Sequence, residues 1–224
     1  EALTQARPNA SPWDATGLVD GLERLADTPD RRTQAFDAIT QALPNAEPPT
    51  ARVLVDRLAR LADTPERRTQ AFDAITQALP NADRWATEYL VDELVRLADT
   101  DERRTQAFDA ITQALPNADR WYAARGLVDG LARLADTDER RTQAIEAITQ
   151  ALPNAEPSAA SGLVDGLARL ADTPERRTQA INIIIKTLPN ADPRNAPNMV
   201  KELRQLCPAS VWLGWVREGA VSHS

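Results

Sequence analysis

The chain has 224 residues, 42% hydrophobic and 26% charged, which supplies a substantial core and is too apolar for a disordered polymer. With 33 acidic against 26 basic residues and a formal charge of −7, it lacks the basic field on which sequence-independent binding to nucleic acid or an anionic membrane relies. The single cysteine, Cys207, admits no internal disulfide, and no apolar run reaches the roughly 20 residues of a membrane span, so a reducing, cytoplasmic setting is expected. Residues 1–9 do not have the basic-then-apolar layout of a secretory leader.

Internal repetition dominates the rest. The string Leu-Ala-Asp-Thr begins at Leu25, Leu61, Leu97, Leu134 and Leu170, at spacings of 36, 36, 37 and 36 residues. Leu-Pro-Asn-Ala keeps the same register from Leu43, Leu79, Leu115, Leu152 and Leu188. Taken from its proline, each unit defines one repeat: 8–43, 44–79, 80–115, 116–152 and 153–188. Residues 189–224 read as a divergent capping repeat and tail. Residues 1–7 match the end of a unit, Glu1 to Pro8 aligning with Asp37 to Pro44, and the expectation is a piece cut from a longer protein with further repeats or another domain upstream.

Within a unit the first helix, A, is marked by Leu90, Leu94, Leu97 and Ala98, the i, i+4, i+7, i+8 spacing of one buried face. The same columns hold Leu18, Leu22, Leu25 and Ala26 in the first unit and Met199, Leu203, Leu206 and Cys207 in the last, which makes Cys207 a small core residue. On the wet side Asp92 precedes Arg96 by four residues, a favourable charge order. Helix A is expected to stop at Asp99-Thr100, where Thr100 suits an N-cap and prolines 29, 65 and 174 occupy the next position in other units. Helix B follows, with Phe72, Ile75 and Leu79 beside alanines 71, 74 and 78, and Pro80 ends it. The short link forces A and B to pack antiparallel, and repetition stacks hairpin on hairpin. The expected fold is all-α, a right-handed superhelical α-solenoid with a 36-residue repeat.

The fifth unit departs from the pattern. Ile183, Ile185 and Thr187 replace Ala147, Thr149 and Ala151, and beyond them Val211, Trp212, Leu213, Trp215 and Val216 read as partners sealing the end of the stack. A docking site for another domain is the alternative.

Identity at exposed positions such as Arg67, Arg68 and Gln70 points to recent duplication. What varies lies after each Pro-Asn-Ala and along one stripe of helix A: Trp13, Gly17 and Gly21; Pro49, Val53 and Arg57; Trp85, Tyr89 and Glu93; Trp121, Gly126 and Gly130; Ser158, Gly162 and Gly166. Residues four apart share a helix face, and a variable face on a constant scaffold is how repeat proteins build binding surfaces. The candidate ligand-binding residues are therefore Trp13, Arg52, Arg57, Trp85, Glu88, Tyr89, Glu93, Trp121, Tyr122 and Arg125, with glycines leaving room for a partner to approach. Alternatively, the tryptophans fill the groove between hairpins as core. The Arg-Arg pairs at 31/32, 67/68, 103/104, 140/141 and 176/177 read as a solvated, salt-bridged face in preference to a phosphate ladder. His223 is the only histidine, and neither a phosphate-cradling glycine motif nor paired cysteines occur, so no catalysis, cofactor or metal is expected.

Trp85 near the start of helix A, Ala107 and Ala110 in helix B and the closing Pro116-Asn117 resemble the tetratricopeptide pattern. The unit is two residues longer than that family's usual 34, and its small and tyrosine positions in helix A do not align, so no ligand residue is carried over. An array of nearly identical helical repeats also resembles the C-terminal sensor region of bacterial STAND (NLR-like) signalling ATPases. That resemblance implies a protein or peptide ligand and an upstream P-loop domain that relays the event. The other expectation is a structural scaffold, or end-to-end self-association through an uncapped N-terminal hairpin.

Overall fold

The computed structural model describes residues 17, 21, 28–82, 84–118, 121–194 and 196–207, with the side chains of 48, 49, 84, 85 and 190 set aside. Every regular element among them is helical. The chain divides into two compact units, residues 1–110 and 111–224.

Unit 1 contains α1 (Pro29–Ala42), α2 (Pro48–Leu61), α3 (Pro65–Ala78), α4 (Arg84–Leu97) and the larger part of α5 (Asp101–Ala114), in which the division falls. Here α2 and α4 are A helices, and α1 and α3 are B helices. The A helices α2 and α4 pack on each other, as do the B helices α1 and α3, and α2 packs on α3 within its hairpin. The leucine columns explain this order: Leu54, Leu58, Leu90 and Leu94 are all buried, as are Phe36, Ile39, Phe72 and Ile75 from the B helices. Fully burying such side chains stabilises by about 1.5–3 kcal/mol each.

Unit 2 contains the end of α5, then α6 (Trp121–Leu134), α7 (Asp138–Ala151), α8 (Pro157–Leu170), α9 (Pro174–Thr187) and α10 (Ala196–Leu206). The A helices α6, α8 and α10 pack in succession, α7 lies against α6 and α8, and α9 lies against α8 and α10. Cys207 is buried at the end of α10, as its column requires, and burial raises its thiol above the ordinary range.

The helix ends follow the sequence signals. Thr64, Thr100, Thr137 and Thr173 each accept a hydrogen bond from the backbone N–H three residues on, at 3.2 Å, satisfying one of the orphan donors at the start of helix B. Helix B stops one residue before its Leu-Pro-Asn, which forms a single 3-10 turn at 43–45, 79–81, 115–117, 152–154 and 188–190. The proline sits at the start of that turn, where no N–H is needed.

The Arg-Arg pairs prove to be staples between consecutive hairpins. Arg67 bonds Asp63 (2.6 Å) and reaches back to Thr33 of the preceding helix B (2.9 Å). Arg103 repeats this with Asp99 (2.7 Å) and Thr69 (2.6 Å), and in unit 2 Arg176 bonds Asp172 (2.8 Å) and Asp138 (2.9 Å). The second arginine reaches forward: Arg32 to Asp63 (3.8 Å), Arg68 to Asp99 (4.0 Å) and Arg141 to Asp172. Its Nε meanwhile donates to a carbonyl at the end of its own helix A, Arg141 to Ala135 at 3.0 Å and Arg177 to Ala171 at 3.2 Å. The aspartate of Leu-Ala-Asp-Thr is thus clamped by one arginine from each side. The arginines among these identical positions, read from sequence as a trace of duplication, also have a structural role.

Candidate functional site

On α6 the first turn brings together three of the residues singled out by sequence. The Trp121 ring meets Tyr122 edge-on, centroids 4.8 Å apart at 78°, and the Arg125 guanidinium lies 5.0 Å from the Trp121 centroid. Tyr122 is 50% exposed, Trp121 is half-buried and Arg125 is exposed. Arg125 also faces Asp129 (3.6 Å), which pairs with Arg169 of α8. This is an edge-on aromatic pair with a cation beside it, open to solvent.

Beneath it lies an acidic pair that the sequence reading did not single out. The Trp121 indole N–H donates toward Asp165 on α8, and Glu202 on α10 is near enough to feel the charge of Asp165. Burial raises the Asp165 carboxyl above its usual range, opposed by Lys201, Arg125 and the indole N–H. Burial also raises Glu202, and the charge of Asp165 adds to it. Lys201 lies 3.6 Å from Glu202, Gln205 donates to it at 3.4 Å, and Asn198 donates to the buried Ser161 hydroxyl at 3.1 Å. Asn198 and Glu202 stand one repeat after Gly162 and Gly166, so carrying the variable columns into the last unit would have found them.

In unit 1 the stripe brings together Arg52 and Tyr89, the guanidinium of α2 standing 4.3 Å from the ring centroid of α4. Glu88 is exposed and Arg57 is half-buried. Glu93 is largely covered and holds Arg96 in a two-pronged pair, with Nε to Oε2 at 2.8 Å. The arginine that the sequence set four residues after Asp92 thus also holds the carboxylate three back. Trp85 occupies the first turn of α4, its side chain outside the described residues, and Trp13 lies outside them altogether.

Gly162 and Gly166 are not space left for a partner. A Cβ at Gly162 would stand 2.9 Å from the Trp121 carbonyl oxygen and 3.1 Å from the Arg125 nitrogen, and one at Gly166 would run into Val128. Helix α6 itself occupies that room, and the missing side chains are what let the two backbones meet.

Among the described residues no three His, Cys, Asp or Glu side chains gather closely enough to hold a metal ion, and no described helix is long and apolar enough to cross a membrane. No family model matches the sequence, and no curated protein matches it significantly.

Proposed function

We propose that this chain is a recognition module that captures a protein or peptide ligand on the outer edge of its A helices and has no catalytic role. In this reading it is the ligand-sensing part of a larger bacterial signalling protein of the STAND kind, working in the cytoplasm. The observation that carries it is the Trp121, Tyr122 and Arg125 cluster, which unites the three residue types that most often anchor interfaces at a half-exposed helix start.

A displayed library of random peptides, selected on the chain, tests the reading. Enriched peptides should lose about 30-fold or more in affinity on replacement of Trp121, Tyr122 and Arg125 by alanine, with the helical signal and melting nearly unchanged. Peptides that bind the triple variant as tightly as the parent would remove the basis for the proposal.

A further inference from the structure

The junction between the fifth hairpin and α10 differs from its counterpart in unit 1. There Leu43, Ala51, Ala78, Ala82 and Ala86 close around a space of about 20 Å³. The same repeat positions in unit 2, including Leu152, Ala160, Thr187 and Met199, border a cleft of about 400 Å³.

The cause is written in the sequence. In register α10 should start at residue 193, as α8 starts at Pro157, yet it starts at Ala196 and has 11 residues where α8 has 14. Pro197 has no N–H, and its ring would strike the carbonyl four residues back, so it is confined to a first turn. Residues 193 and 194, the counterparts of Arg84 and Trp85 at the start of α4, therefore lie outside α10, whereas the first turn of α4 carries Ala86, which helps shut the unit 1 junction.

The walls change where the space opens. Ile183 replaces an alanine, and Lys186 stands where every other full unit has glutamine: Gln41, Gln77, Gln113 and Gln150. The Lys186 ammonium is exposed at the rim and has no ion-pair partner among the described residues. The rim carboxylate of Asp192, in contrast, is committed to Arg194 at 2.8 Å. An apolar cleft with one uncommitted cation at its edge is complementary to an apolar body bearing one negative charge.

We propose that this cleft binds a small amphipathic monocarboxylate, its apolar body lying between Ile183, Ala160 and Met199 and its carboxylate at Lys186. At about 30 Å³ per water-sized group, the space takes roughly a dozen non-hydrogen atoms. This site is independent of the α6 cluster.

Met199 is the only methionine, so protein labelled with ¹³C at the methionine methyl gives one resonance from the cleft wall. Decanoate, kept below the concentration at which it forms micelles, should move that resonance saturably. Decyltrimethylammonium, with the same tail and the opposite charge, should bind at least about tenfold more weakly, and Lys186→Gln should weaken decanoate by about tenfold. Ala160→Phe, checked for helicity and melting, should plug the cleft and abolish the saturable shift. The proposal is overturned by a Met199 signal that ignores decanoate, by equal response to the two head groups, or by a Lys186→Gln protein that binds unchanged. It is equally overturned if Trp212→Ser with Trp215→Ser moves the signal without any ligand, because the cleft would then be filled by residues 208–224.

Discussion

The A helices of the two units are built on the same leucine columns and solve their contact differently. Between α2 and α4 the variable columns hold Val53, Arg57, Tyr89 and Glu93, and Arg52 of α2 reaches across to the Tyr89 ring of α4. Between α6 and α8 the same columns hold Gly126, Gly130, Gly162 and Gly166, all buried, and the helices approach more closely. Variation along this stripe therefore sets how near neighbouring hairpins stand as well as what they show to solvent. In unit 1 large polar groups remain at the outer edge. In unit 2 the seam is backbone against backbone, and the exposed aromatic groups are displaced to the first turn of α6.

The contrast is open to attack at single positions. The severest test is Gly166→Val, whose added carbons collide with Val128 and should cost about 3 kcal/mol in urea unfolding, whereas Glu93→Val in the same column of unit 1 should cost less than about 1 kcal/mol. Equal costs would erase the distinction. Next come the staples, which both units share: Arg103→Ala and Arg176→Ala should each lose about 1–2 kcal/mol, and a large inequality would show that one junction does not rely on its arginine. Tyr89→Ala removes the ring under Arg52 and should cost about 0.5–1 kcal/mol, a loss confined to the unit held apart by side chains.

The smallest effect is one of pH. Burial raises the folded-state carboxyls of Glu202 and Asp165, so the native protein holds those protons more tightly than the unfolded chain. Their contribution to stability is greatest below the ordinary carboxylate range and is lost as pH rises through the raised values. Glu202→Gln should therefore gain melting temperature over the parent at neutral pH, and the gain should shrink toward about pH 4. A gain that grows on acidification would reverse the sign and the assignment with it.

Much of the fold was legible in the residues because its determinants are local. Leu90 and Leu94 announce a helix face by spacing alone, and Thr100 announces a helix start by its hydroxyl three residues ahead of a waiting N–H. The site was legible only in part. Trp121, Tyr122 and Arg125 are neighbours along one helix, and sequence placed them together. What escaped depends on the partner helix: nothing within α8 says that α6 will press against Gly162, and nothing within helix B says that Arg67 will find Thr33, 34 residues earlier. Arg67 and Arg103, read as members of a solvated face, are only 16% and 17% exposed for that reason. The Glu93 pair illustrates the same limit within one helix, where the spacing of Asp92 and Arg96 did not announce that Glu93 also holds the arginine.

The arginine staples carry an implication for how such a gene changes. Because a unit brings both the hand that grips its predecessor and the hand that grips its successor, any two copies are compatible on first meeting. Unequal recombination can then insert or delete one whole copy in a single event, with no second mutation needed to heal the seam. Copy number can then change in steps of one hairpin with the arginine joints intact.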